Sequence, residues 1–341
     1  MPSSALRDAV HTLVRRESLS ADATAAAFRE VMAGEGSAAL LGALLAALRV
    51  KGETAEELAG AARALREAMV PLLADDPSAL VDTCGTGGGS VATFNISTAA
   101  ALVVAGAGVR VAKHGNRSFT TRSGSADVLE ALGVAIDIPA DRMPAVLQEA
   151  GIVFMFAPTM HPAMRHVGPV RRELGIESVM NMVGPLANPA GAGRQVVGVA
   201  DIGRAELMAG ALAELGTVHS LVVHGEPGMD EVSPIGTTSV IEVKNGVMSR
   251  WTVDPSSLGF SSLNAGDLAG GSPAENAAVI ELVLSGSGSA SAQAAVVLNA
   301  AAAFLVSGKA STLAGGLDVA RESIVSGAAS AALDRLRRAT H

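Results

Sequence analysis

Between Ser4 and Pro71 the apolar positions recur at intervals of three and four (Leu6, Val10, Leu13, then Phe28 and Met32), with no alternating run of β-branched residues. That spacing predicts an all-helical segment of several short helices. Ser20 suits an N-cap, and Thr54-Ala-Glu-Glu57 reads as a capping box for a helix that Pro71 helps to close. From Leu80 onward the pattern changes. Short apolar runs at Leu80–Asp82, Val109–Ala112, Val134–Asp137, Ile152–Phe156, Gln195–Val199 and Ser220–Val223 predict strands. Helix-like stretches near Ser97–Ala105, Ser125–Leu132, Arg142–Ala150 and Ala205–Leu215 lie between them. This alternation predicts an α/β region with a mainly parallel central sheet flanked by helices. Thr237–Val243 and Val247–Val253 flank Lys244-Asn245-Gly246, a hairpin signal, and Ser285–Ser291 reads as a short flexible loop. From Pro273 to His341 the chain is helical again and rich in alanine.

The length of 341 residues exceeds one average core, which fits a large domain with a smaller companion. Lys plus Arg number 25 against 33 Asp plus Glu, so the net charge is −8, the wrong sign for holding nucleic acid through an overall field. Mean hydropathy is +0.39, yet the apolar run from Ala99 stops at Arg110 and the one from Ala294 is interrupted by Asn299. Both fall short of the roughly 20 residues of a membrane span. Arg7, Asp8, Arg15 and Arg16 interrupt any secretory signal, so the expected location is cytoplasmic. A single cysteine, Cys84, leaves no internal disulfide and no multi-cysteine metal site. With 7 Phe, 1 Trp and no Tyr beside 38 Gly, the chain has no stacking platform for bases.

The glycines concentrate in one loop. Gly85-Thr-Gly-Gly-Gly89 follows a predicted strand and runs through Thr93 and Asn95 into a predicted helix at Ser97 and Thr98. Tight turns expose backbone N–H groups and the helix start adds unpaired donors, so the loop suits an anion such as phosphate. A glycine cluster alone would equally suit an ordinary left-handed turn. The Gly-Lys-Ser/Thr ending of a P-loop is missing. The looser dinucleotide pattern fits Gly87–Ala92, but some 20 positions on stand Lys113 and His114, where a nicotinamide site wants an acid.

The next strand end, Lys113-His-Gly-Asn-Arg-Ser118, followed by Thr120, Thr121 and Ser125, faces the same crevice in an open parallel sheet. Two cations, an amide and several hydroxyls there suit a substrate with more than one phosphate. A third loop carries Asp230-Glu231, adjacent carboxylates able to hold Mg²⁺ through one or two oxygens while phosphates and water complete its shell. His161, His166 and His224 lack metal-ligand spacing, and His11 and His219 read as ordinary helix and strand residues.

Taken in order, Gly85-Thr-Gly-Gly88, Asn95-Ile-Ser-Thr98, Lys113-His-Gly-Asn-Arg117, Ser123-Gly-Ser-Ala-Asp127, Ala157-Pro through His161-Pro162, Val170-Arg-Arg-Glu-Leu-Gly175, Gly184-Pro-Leu-Ala-Asn-Pro189 and Asp230-Glu231 resemble the anthranilate phosphoribosyltransferase family. Lys51-Gly-Glu-Thr54 and Leu298-Asn-Ala-Ala301 extend the likeness to nearly the whole chain. The resemblance implies transfer of the phosphoribosyl group of phosphoribosyl diphosphate to the amine of anthranilate, with release of diphosphate, in tryptophan biosynthesis.

It also implies a small helical domain, residues 1–72 joined by helices from about 162–182, beside a large α/β domain of the nucleoside phosphorylase and phosphoribosyltransferase type. The large domain would comprise 73–161 and 183–341 and hold the substrate cleft, and the protein would be a homodimer through the helical domain. By motif, Gly85, Gly88, Gly89, Thr93, Asn95, Ile96, Ser97, Thr98, Lys113, His114, Gly115, Asn116, Arg117, Ser118, Phe119, Thr120, Thr121 and Ser125 would contact phosphoribosyl diphosphate. Gly85, Asn116 and Arg171 would face anthranilate, Arg171 offering a planar fork to its carboxylate. Ser97, Asp230 and Glu231 would hold Mg²⁺, as two ions with the diphosphate. No residue is assigned as acid or base, because the aryl amine is already neutral at pH 7.

Two departures stand out. Gly89 stands where the family commonly has Asp, which predicts a looser loop and altered metal dependence, and Met180 stands where Phe is frequent. Two other readings compete: a pyrimidine nucleoside phosphorylase-like enzyme using free phosphate, and a non-catalytic relative that binds nucleic acid. The Asp230-Glu231 pair with the Arg171 segment disfavours the first, and the net charge disfavours the second.

Overall fold

The computed structural model describes residues 4–118 and 122–341. Four helices open the chain: α1 (Ala5–Val14), α2 (Ala21–Met32), α3 (Ala38–Lys51) and α4 (Ala55–Glu67). Each starts at a hydroxyl that accepts a first-turn N–H: Ser4 from Arg7, Ser20 from Ala23, Ser37 from Leu40 and Thr54 from Glu57. The Thr54–Glu57 capping box is complete, so the orphan donors of the helix starts are answered locally.

Strands and helices then alternate as β1 (Val81–Gly85), α5 (Ile96–Gly106), β2 (Val111–Gly115), α6 (Ser125–Ala131), α7 (Met143–Ala150) and β3 (Ile152–Phe156). Next come α8 (Ala157–Met160), α9 (Gly168–Leu174), α10 (Met180–Leu186), β4 (Arg194–Gly198), α11 (Ala205–Glu214), β5 (His219–Gly225), β6 (Thr238–Lys244) and β7 (Val247–Val253). The chain closes with α12 (Pro273–Leu284), α13 (Ala290–Ser307), α14 (Leu313–Val325) and α15 (Ala328–Thr340).

One seven-stranded sheet runs β3-β2-β1-β4-β5-β6-β7. The first five strands in that order are parallel, and β6 and β7 add an antiparallel hairpin. Its turn sets Asn245 at φ 50° and Gly246 at φ 78°, the left-handed pair that matches strand twist. Ile152–Phe156 is a strand with the expected bounds.

The expected strand at Val134–Asp137 does not form. Val134, Ile136 and Ile138 are buried while Asp137 is exposed, so the alternation is there. Its backbone pairs with no strand; the Ala135 N–H, for instance, donates to the Thr340 hydroxyl (3.3 Å). Period-two hydrophobicity reports one face lying on a core, and a ladder needs a partner edge besides. The Ser285–Ser291 stretch is shorter than expected as a loop, since α13 starts at Ala290 and the Gln293 amide donates to the Gly286 and Gly288 carbonyls.

Apolar side chains collect in two clusters. One lies around α5 and α13 behind β1 to β3, and the other joins α1 to α4 with α9, α10, α11 and the opposite face of β4 and β5. Among the described residues one helix, α13, is long and apolar enough to cross a membrane, and it is a core helix here, buried along most of its length against α5 and α14.

Candidate active site

The parallel strands end on one rim, and four of them end in glycine: Gly85, Gly115, Gly198 and Gly225. Two of these glycines admit the loop after β5. A Cβ on Gly198 would stand 1.6 Å from the Asp230 carbonyl oxygen, and one on Gly85 would stand 2.5 Å from Asp230 Oδ2. Only hydrogen at both positions lets Asp230 and Glu231 lie directly over the ends of β1 and β4. Ligands of open α/β sheets sit beyond the carboxyl ends of the strands, and here a cleft of about 850 Å³ opens there.

The glycine loop forms one wall. The Gly87 N–H donates to Asp230 Oδ2 (2.8 Å), the Ser90 N–H to the Gly228 carbonyl (2.9 Å) and the Ser90 hydroxyl to the Pro227 carbonyl (2.6 Å). The loop is thus tied at three points although Gly89 brings no side chain. At the start of α5 the Ser97 N–H donates to Glu231 Oε1 (3.1 Å), and the Asn95 side chain makes no cap.

Four charged groups sit at the floor. Lys113 is 2% exposed; its ammonium donates to the Thr83 carbonyl (2.5 Å) and the Ser97 hydroxyl (3.3 Å). Asp82, fully buried, accepts from Asn188 Nδ2 (2.8 Å) and the His114 N–H (3.3 Å). Burial pushes the Asp230 carboxyl up, and burial with Asp230 beside it pushes Glu231 up to about 8. Three buried carboxyl groups thus share one ammonium, and Glu231 keeps its proton at pH 7.

Beside them the imidazoles of His114 and His161 meet Nε2 to Nε2 at 3.2 Å. Burial, helped for His114 by its neighbour, lowers His114 to about 3 and His161 to about 4, so both rings are neutral at pH 7.

Gly85, Gly88, Gly89, Thr93, Asn95, Ser97, Lys113, His114, Gly115, Asn116, Arg117, Ser118, Ser125, Arg171, Asp230 and Glu231 all line this cleft. Ile96 and Thr98 do not. Ile96 is packed into the core, and the buried Thr98 hydroxyl has no hydrogen-bond partner among the described residues. Phe119, Thr120 and Thr121 lie outside the described residues. The Arg117 guanidinium is engaged with Asp127 and Glu130 (both 2.9 Å). Arg171, in the last turn of α9, has no ion-pair partner among the described residues, and burial lowers its pKa.

Sequence reading missed the His161 ring and the buried Asp82–Asn188 pair. Metal-ligand spacing finds nothing at His161, whereas its place just past the end of β3 is the available signal.

Known proteins resemble this chain throughout. Residues 7–69 match the glycosyl transferase family helical bundle domain and residues 77–330 the glycosyl transferase family a/b domain. Anthranilate phosphoribosyltransferase of Roseiflexus sp. (strain RS-1) is 49% identical over 97% of both chains. The chain belongs to the anthranilate phosphoribosyltransferase family.

Solved members of the anthranilate phosphoribosyltransferase family share the fold. The crystal structure from Thermus thermophilus superposes with a TM-score of 0.92 at 43% identity, covering 98% of this chain and 99% of that one. The Saccharomyces cerevisiae enzyme in complex with PRPP and Mg gives 0.89 at 28% identity over 98% and 97%. Membership in the anthranilate phosphoribosyltransferase family sets aside the nucleoside phosphorylase and nucleic-acid-binding readings.

Proposed function

We propose that this chain transfers the phosphoribosyl group of 5-phosphoribosyl 1-diphosphate to the amine of anthranilate, giving N-(5-phosphoribosyl)anthranilate and diphosphate. The observation that carries the reading is a glycine loop and helix start facing two adjacent buried carboxyl groups, both pushed up by burial.

The charge count supports a divalent cation. Ionised together, Asp82, Asp230 and Glu231 would exceed Lys113 by two charges, and burial answers this by raising all three carboxyls, Glu231 to about 8, so that the metal-free site holds a proton which a divalent cation would replace. No group of three metal-ligating side chains occurs among the described residues. The adjacent Asp230 and Glu231 would suit Mg²⁺, which takes one or two carboxylates and fills its shell with phosphate oxygens and water. Asp230, Glu231 and the Ser97 hydroxyl would hold it, and a second ion would accompany the diphosphate, whose own charge exceeds what the floor can answer. Bound Mg²⁺ would neutralise charge on the departing diphosphate.

The remaining work falls to the chain. Backbone N–H groups of Gly85, Gly88 and Gly89, with Thr93, Asn95 and Ser97, grip the diphosphate. Lys113, Gly115, Asn116, Ser118 and Ser125 hold the ribose phosphate side. Arg171 takes the acceptor carboxylate bidentately, with Asn116 and Gly85 orienting the ring. The amine nitrogen forms a bond to C1′ as the C1′–O bond breaks, and the electron pair leaves with diphosphate. Fixed positioning lowers the entropic barrier to this substitution, and donors aimed at the leaving group stabilise its charge. The amine proton is released after attack, when the nitrogen has become acidic, so no strong base is needed. Ile96 and Thr98 act beneath this surface by bracing the first turn of α5.

We propose further that residues 1–72, joined by the helices from about 162–182, form one body and 73–161 with 183–341 the other; α1 to α4 pack mainly on one another and on α9, α10 and α11, and their apolar cluster continues onto one face of β4 and β5, so the two bodies would share a packed boundary. The homodimer would form through the helical body. Helix α3 carries apolar residues on every side, with Ala39 and Val50 (83% exposed) facing outward.

Anthranilate fluorescence tests the reading. It should fall only when phosphoribosyl diphosphate and Mg²⁺ are both present, and an unchanged signal with all three components would overturn it.

A further inference from the structure

The side-chain amide of Asn95 is held in one orientation by a hydrogen-bonded relay whose two ends are backbone groups. At one end the Gly271 N–H donates to Asn276 Oδ1 (2.7 Å). A backbone N–H only donates, so the atom it meets is the amide oxygen, and Asn276 Nδ2 is left facing Asn95 at 2.9 Å. Asn95 must then present Oδ1 to Asn276, and the same oxygen receives the Ser123 hydroxyl (3.3 Å). Its Nδ2 is turned to the Ser123 carbonyl (3.2 Å), a group that only accepts. The polarity of the relay is therefore determined at both ends. Asn276 is 2% exposed, lies on α12, is 181 residues distant from Asn95 and takes no part in the cleft lining, whereas Asn95 and Ser123 do.

We propose that Asn276 is a positioning residue for the phosphoribosyl diphosphate site. By fixing the Asn95 amide, it keeps the amide oxygen committed to Asn276 and Ser123 and leaves one Nδ2 hydrogen, besides the one given to the Ser123 carbonyl, for an anionic substrate. Through Asn95 it also anchors Ser123, where the chain returns from the Lys113–Ser118 loop into α6. The inference rests on the reading of this cleft as the phosphoribosyl diphosphate site. A half-turn of the Asn95 amide would remove a donor to a charged group and put an oxygen in its place, and a charged hydrogen bond of this kind is worth about tenfold or more in affinity.

Asn276→Asp keeps the size and the acceptor for Gly271 but places an oxygen against Asn95 Oδ1, which drives the Asn95 amide to rotate. Calorimetric titration with phosphoribosyl diphosphate and Mg²⁺ should show Kd raised at least tenfold, with the KM for anthranilate within twofold of wild type. Asn95→Ala should weaken binding comparably, and adding Asn276→Asp to it should cost nothing more, a non-additivity that general loss of structure would not produce. If Asn276→Asp does not fold, Asn276→Ala, which frees the amide without repelling it, should raise Kd about threefold. Unchanged Kd in the folded Asn276 variants, or additive losses in the double variant, while Asn95→Ala weakens binding would overturn the inference alone. Unchanged Kd in Asn95→Ala would overturn the donor-site reading with it.

Discussion

Two buried glutamates, one in the helical body and one in the cleft, show how the same residue type is used in opposite ways. The Glu57 side chain is fully buried, and its oxygens receive the Lys51 ammonium (3.0 Å), the Leu19 N–H (2.9 Å) and the Thr54 N–H (2.9 Å). Glu231 receives the Ser97 N–H (3.1 Å), has Asp230 beside it, and is pushed up to about 8. A buried carboxylate with every demand met by its own chain holds the fold together. One left in deficit has been arranged for something that arrives later.

Exchange of each glutamate for glutamine should separate the two cases most sharply. Glu231→Gln or Asp230→Asn should lower Mg²⁺-dependent turnover at least about a hundredfold, with the melting temperature of the metal-free protein unchanged or raised, since a buried carboxyl whose pKa folding pushes up is gone. Glu57→Gln should do the reverse, lowering stability by about 3 kcal/mol through the stranded Lys51 while leaving turnover per folded molecule intact. Equal losses of stability at both positions would erase the distinction.

The next effect is smaller and tests whether Arg171, a half-buried cation without an ion-pair partner among the described residues, is likewise kept for a ligand. Arg171→Ala should raise the KM for anthranilate about tenfold with the KM for phosphoribosyl diphosphate unchanged. A loss confined to phosphoribosyl diphosphate would remove Arg171 from the acceptor end.

Titration refines the comparison. The folded metal-free protein keeps a proton on Glu231 up to about pH 8, whereas the unfolded chain releases it near 4.5. The folded state binds more protons across that window, so metal-free stability should fall as pH rises through it. Calorimetric melting at pH 5 and pH 8 should show the fall in wild type and a flatter profile in Glu231→Gln.

The smallest effect concerns Gly89. A Cβ there would stand 2.9 Å from the Gly228 carbonyl oxygen and 3.5 Å from Asp230 Oδ1. Gly89→Asp should therefore lower the metal-free melting temperature by a few degrees. Its added carboxylate should reduce the Mg²⁺ concentration for half-maximal rate severalfold. Identical Mg²⁺ profiles would show that the three ties of the loop make a carboxylate at 89 irrelevant.

Local pattern revealed much of this molecule. The helix starts at Ser20 and Thr54, the Asn245-Gly246 hairpin and the glycine loop are set by short-range chemistry, because a hydroxyl cap or a left-handed turn involves only a few consecutive residues. Loops at the ends of parallel strands could be assigned to one crevice for the same reason, since parallel strands share a rim. The chain's own order also carried the family motifs. Val134–Asp137 failed because alternation reports a half-buried surface and says nothing of a neighbouring edge.

Tertiary structure alone decided which charges would find partners. Lys51 and Glu57 are only six residues apart, but Asp82 lies on β1, Lys113 on β2 and Glu231 in the loop after β5. Their imbalance exists only once β1, β2 and β5 share a rim. The His114–His161 contact and the Asn276–Asn95 relay likewise join residues far apart in sequence. Hydrogen-bond polarity and desolvation depend on what surrounds a group in space, and no spacing along the chain encodes that.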